Sequence, residues 1–124
     1  LQNYILPMDL NIKHINMKYL DEVSSDRDFK LKIFSLFKKE IIIIEEKMLE
    51  ALQNNDFENL ADLAHKAKSS VSILGMTTVS TEMKQLEIDI KNGKNASTYE
   101  KRVKDFIQIC HEAGEEIKMI EKIL

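Results

Sequence analysis

Apolar residues recur every three or four positions along nearly the whole chain, the period of helices that bury one face. A first short helix is expected over about Ile15 to Val23. It ends at Ser24-Ser25, where Ser25 or Asp26 can cap the next helix. In that second helix Phe29, Ile33, Phe37, Ile41, Ile44, Met48 and Leu52 form one stripe, which ends near Asn54. Ile41 to Ile44, four β-branched residues in a row, would suit a strand if taken alone. Glu40, Glu45, Glu46 and Lys47 flank them without a turn signal and the spacing continues through, so helix is predicted. Asn55-Asp56-Phe57-Glu58 places a cap residue three before a Glu and opens a third helix. Its seam is Phe57, Leu60, Ala64, Ala67, Val71 and Leu74, with Gly75 as its stop or bend. A fourth helix starts at Thr77 or Thr78, buries Val79, Met83, Leu86 and Ile90, and stops at Asn92-Gly93. Ser97-Thr98-Tyr99-Glu100 reads as a second capping box. It launches a last helix with Tyr99, Val103, Phe106, Cys110, Ala113, Ile117, Ile120 and Leu124 on one face. The expected fold class is all-α: an up-down four-helix bundle with a short additional N-terminal helix over residues 15–124, behind an irregular lead-in over residues 1–14.

Composition narrows the possibilities. At 124 residues and 44% apolar content the chain can build one packed domain and not two. Its single proline, Pro7, lies ahead of every predicted helix. One cysteine, Cys110, allows no internal disulfide, and a reducing, cytoplasmic setting is expected. The net charge of −3, from 18 basic and 21 acidic residues, offers no field for a polyphosphate backbone, so nucleic acid is not an expected partner. The longest unbroken apolar run, Ile41 to Ile44, is far below the roughly 20 residues of a bilayer span, and no direct membrane contact is expected. The chain opens at Leu1 rather than Met, which suggests a piece of something longer.

Most catalytic signatures are missing. There is no Gly-rich phosphate loop, GxSxG, HExxH or GxGxxG, so no cofactor and no ATP site is expected. Candidate chemistry falls to His14, His65 and His111. His65 follows Ala64, one helical step of roughly 100° off the buried seam, which puts it on an exposed shoulder. Its row along the helix is Ala61, His65, Ser69 and Ser72, so a second protein can press a flat surface against the ring. Lys68 lies one turn on. A histidine with an ordinary pKa near 6.5 is mostly neutral at cellular pH, and a free ring lone pair can attack phosphorus. Lys68 would favour the neutral ring and offset developing phosphoryl charge, while Ser69 and Ser70 could add hydroxyl contacts. The bland alternative is a surface histidine on a non-catalytic helical interaction or dimerisation domain. His111 points away from the buried Cys110, and with Glu112, Glu115 and Glu116 nearby it makes no expected metal site. His14 is expected to be exposed in the lead-in. Lys30, Lys32, Lys38 and Lys39 read as a solvated face, and the methionines as core gap-fillers.

The segment Leu63-Ala64-His65-Lys66-Ala67-Lys68-Ser69-Ser70-Val71-Ser72-Ile73-Leu74-Gly75 closely resembles the signature of histidine-containing phosphotransfer (HPt) domains. It has the Ala-His pair, Lys three residues on, small residues next, and Gly ten after the His. Tyr19-Leu20, Phe29 to Phe37, Ala51-Leu52 with Asn55-Asp56, and Leu86-Glu87 extend the likeness over about residues 15–120. The resemblance implies that His65 accepts the phosphoryl group, Lys68 stabilises it, and Ser69 is the small position beside it, where many members have Gly. It also implies docking of a partner around Ala61, Lys66 and Ser72, with Lys84 and Glu87 at the rim. The implied partners are receiver domains of response regulators or hybrid sensor kinases, with transfer from one receiver aspartate to another and no ATP. The chain is then a monomer, either free-standing or the cytoplasmic portion of a membrane-anchored hybrid kinase. A kinase dimerisation domain also presents a histidine on a bundle, but its histidine is usually followed by Glu or Asp, and His65 precedes Lys66.

Overall fold

Side-chain caps delimit the first three helices of the computed structural model, which describes residues 12–124. Most of the expected lead-in, Pro7 and Met8 included, lies outside the described residues. Helix α1 (Met17–Val23) begins where Asn16 accepts a hydrogen bond from the Tyr19 amide at 2.9 Å. Ile15 therefore sits ahead of the helix instead of in it, and is buried there. Asp26 caps α2 (Arg27–Gln53), a helix about 40 Å long at roughly 1.5 Å per residue. Asp56 caps α3 (Phe57–Ser72) by accepting from the Asn59 amide at 3.2 Å. Asn55, expected to pair with Glu58, instead has φ of 52° and turns the chain in the left-handed region. Helix α4 (Thr77–Lys91) follows, then a 3-10 turn (Ala96–Thr98) and α5 (Tyr99–Glu121). The expected box at Ser97 to Glu100 does not form. The 3-10 turn leads directly into α5, and the Thr98 hydroxyl donates to the Asn95 carbonyl at 2.6 Å.

Helix α2 packs on α3 and α5, α3 on α4, and α4 on α5, closing a four-helix bundle with α1 as a short addition. The α5 stripe from Tyr99 to Ile120 is buried as the pattern predicts, and Leu124 packs partly against it. The α2 stripe is rotated at its start. Phe29 is 37% exposed and Ile33 half-buried, while Phe34 and Lys30 face inward. Lys30, expected on a solvated face, is buried because its ammonium pairs with Asp21 of α1. Lys38 pairs with Glu121 at 3.1 Å. Ile41 and Ile44 enter the core and Ile42 and Ile43 remain exposed. Phe57, predicted in the α3 seam, is likewise part exposed, its ring edge-on to Tyr99 with centroids 5.5 Å apart.

Two ties hold the N-terminal part to the bundle. The buried Glu116 carboxylate accepts from the Lys13 amide at 2.8 Å and from those of His14 and Ile15 at 3.0 Å each. Charged acceptors make such hydrogen bonds among the stronger kind. The Asn16 amide donates to the Leu74 carbonyl at 3.0 Å, bringing α1 over the end of α3. That approach requires Gly75: φ is +70°, and a Cβ there would lie 2.7 Å from Asn16 Cβ and 2.9 Å from Tyr19 Cδ2. Gly114, in the α5 interior, has open space where a Cβ would go.

The two glycines predict opposite outcomes. Gly75→Ala should lower unfolding stability by roughly 2–4 kcal/mol, combining left-handed backbone strain with the clash. Gly114→Ala should raise it by about 0.5–1 kcal/mol through helix propensity. Chemical denaturation of the two variants checks both signs.

Candidate functional site

Small side chains bring α3 and α4 close. Ala64 and Ala67 are fully buried, and the Ser72 hydroxyl lies 2.7 Å from that of Ser80 on α4 while donating to the Lys68 carbonyl at 2.7 Å. At this separation a carboxylate on α4 reaches a ring on α3. His65 keeps 58% of its side chain exposed, and its Nδ1 lies 3.1 Å from Glu87 Oε1. The other carboxylate oxygen, Oε2, accepts from Lys91 Nζ at 2.7 Å. That hydrogen bond holds the Glu87 carboxyl below the usual range against the opposing effect of burial, and the His65 contact works in the same direction. An ionised carboxylate can only accept, so the ring hydrogen resides on Nδ1. Nε2 has no hydrogen-bond partner among the described residues.

The other expected site residues divide. Lys68 is half-buried one turn along α3, and its ammonium has no ion-pair partner among the described residues. Ser69 is exposed, its hydroxyl donating to the His65 carbonyl at 3.4 Å, and Lys66 and Lys84 are exposed. Ala61 is not available for docking: it is 3% exposed because it belongs to the packed side of α3. Ser72 is half-buried and its hydroxyl is taken up by the α3–α4 contact. Ser70 is buried, so it is not free to contact a phosphoryl group as Ser69 is. Glu87, expected at the rim, is half-buried and hydrogen-bonds the ring itself.

Helix α2 supplies the part that sequence reasoning missed. Glu40, Ile43 and Ile44 line a shallow groove together with His65, Lys66, Ser69 and Ser70. Ile43 is 49% exposed. The available signal was the run of four isoleucines, of which a helix can turn only some inward.

The remaining histidines are both paired. His14 is 19% exposed, not free in solvent, with Nε2 2.8 Å from Glu112 Oε1. His111 Nε2 lies 3.2 Å from Oε1 of Glu45, a buried residue on α2 whose Oε2 has no hydrogen-bond partner. Among the described residues no three His, Cys, Asp or Glu side chains converge as a metal site would require. Burial pushes the Cys110 thiol far above its ordinary range, with Glu45 adding to the effect.

The family model described as Hpt domain matches residues 32–120, which takes in most of α2, all of α3 and α4, and nearly all of α5. The chain belongs to the Hpt domain family. Hpt domains carry out histidine phosphotransfer in phosphorelays and interact with receiver domains. The match includes the His65 segment and the Glu87–Lys91 turn of the Hpt bundle. Neither the curated proteins nor the solved structures gave a match. No helix among the described residues of this Hpt domain is long and apolar enough to cross a membrane.

Glu45 generates a prediction about stability. Burial raises its pKa above the ordinary carboxylate value, against the lowering influence of His111. The folded state therefore holds the proton more tightly than the unfolded chain, and wild-type stability falls as pH rises through the folded-state titration. Glu45→Gln removes that dependence. Its melting temperature relative to wild type should climb as pH rises above the ordinary carboxylate value of 4.5; a difference constant with pH would contradict the assignment.

Proposed function

We propose that this Hpt domain accepts a phosphoryl group on Nε2 of His65 from a receiver-domain aspartate and passes it to the aspartate of another receiver. The observation that carries the reading is the exposed ring with Nδ1 committed to an ionised carboxylate. In the neutral ring the Nε2 lone pair attacks phosphorus as the bond to the aspartyl oxygen breaks, and the aspartate leaves as a carboxylate. No proton has to move. During the step the Nδ1 hydrogen stays on the ring, and the positive charge that the ring gains faces Glu87; once loaded, the ring can exchange that hydrogen with solvent. Transfer onward is the reverse of this step on a second aspartate.

The surroundings fit the two halves of the task. Lys68 offers a cation one turn from the ring, where it can offset charge on the phosphoryl oxygens. Ser69 keeps the adjacent position small. Among the described residues Glu87 is the one carboxylate hydrogen-bonded to the ring, and it lies at Nδ1 with both oxygens engaged, so it is poorly placed to activate water at Nε2. Docking of the receiver uses Lys66 and Lys84 with Ile43 and Glu40 of α2, the monomer presenting one such face. No nucleotide takes part.

A receiver domain charged with acetyl phosphate should label the protein with acid-labile, base-stable phosphate, and His65→Gln should abolish the label. Labelling that survives in that variant rejects the reading. Lys68→Ala should fold normally and slow transfer by roughly tenfold or more, the scale of a lost charge-stabilising contact. Equal single-turnover rates would remove Lys68 from the mechanism.

A further inference from the structure

The carboxylate that holds His65 is itself held. Lys91 lies one turn beyond Glu87 on α4, donates to its Oε2 at 2.7 Å, and remains 58% exposed. Asp62, exposed on α3 one turn before His65, adds a field that favours the charged form of Lys91, after the larger effect of Glu87 itself. Across two helices the order is thus anion, cation, anion, imidazole. The other charged groups that line the groove with the ring are Lys66 on its own helix and Glu40 on α2; Lys68 lies one turn along α3 and Lys84 one turn before Glu87 on α4. None of these touches Glu87; its contacts are His65 and Lys91.

We propose that Lys91 is a positioning residue that anchors Glu87 and balances its charge, and so sets both the pH range in which His65 accepts a phosphoryl group and the lifetime of the phosphohistidine. The proposal rests on His65 being the acceptor. An unbalanced carboxylate 3.1 Å from Nδ1 would favour the protonated ring. Before transfer, a ring protonated on both nitrogens has no lone pair to attack phosphorus. After transfer, a ring with hydrogen on Nδ1 departs as neutral imidazole when the P–Nε2 bond breaks, the electron pair returning to Nε2; without that hydrogen it must depart as the much poorer imidazolate. Water is the acceptor in hydrolysis, giving inorganic phosphate. Both consequences have the same sign: losing Lys91 hinders loading at low pH and hastens loss of the group once loaded.

The test uses the full chain and phosphoramidate as a small phosphoryl donor, so that no partner surface enters the measurement. For Lys91→Met, the acid limb of the labelling rate should move up by about half a pH unit, a threefold loss of rate on that limb. The isolated phosphoprotein should lose phosphate about threefold faster at pH 7, the same shift expressed in the loaded form. Lys91→Arg should restore both, since it keeps the charge and the reach. Lys104→Met, which removes a lysine paired to Glu100 on α5, should leave both as in wild type. A Lys91→Met protein whose pH profile and decay coincide with wild type overturns the proposal, while His65 labelling in the same samples would still uphold the acceptor. Label persisting in His65→Gln overturns the acceptor and the proposal together.

Discussion

The separation of α3 from α4 is the constraint on which the site depends. Ala64 and Ala67 present almost nothing to hold the helices apart, and the Ser72–Ser80 contact closes the seam further along. Only at that distance does a glutamate on one helix reach a ring on the other. The same packing that stabilises the bundle therefore chooses the imidazole tautomer. A larger side chain at position 64 or 67 would overpack this seam and push the helices apart, and the hydrogen bond to Nδ1 weakens steeply with distance and angle.

Charge is buried elsewhere in the molecule in three different ways. Glu116 is surrounded by backbone amides, which satisfy it well and pin the segment before α1. Lys30 and Asp89 each have a partner of opposite charge on a neighbouring helix, Asp21 and Arg102. Glu45 has one histidine and an oxygen with nothing, the arrangement that destabilises most. These groups lie outside the His65 groove, whose own charges, Glu40 and Lys66, are exposed, while the half-buried Lys68 one turn along α3 has no ion-pair partner among the described residues.

Much of this architecture could be read from spacing alone. The α5 seam and the ends of α2 and α4 follow directly from the apolar period and from Asn54, Asn92 and Gly93. The start of α2 did not, because Lys30 turns inward only when Asp21 of α1 is present to receive it, a partner 9 residues away that periodicity does not register. Capping was misassigned where two adjacent residues could both serve: Asn55 and Asp56 differ little in type, and the left-handed turn decides between them. At the site, His65, Lys68 and Ser69 share one helix and so were visible together. Glu87 comes from another helix and was legible as a residue near the site but not as the partner of the ring; Ile43 comes from a third helix, and Ala61 falls on the packed side of α3, one helical step from its exposed side.

Cys110 carries a further consequence for experiment. Its sulfur is enclosed by the α5 seam, and a thiol kept protonated so firmly reacts slowly with alkylating reagents. A cysteine introduced anywhere on the exterior would then be the single fast-reacting thiol of the chain. Spin labels or fluorophores can be attached at chosen surface positions without first removing the native sulfur, and approach of another protein can be followed in an otherwise unaltered molecule.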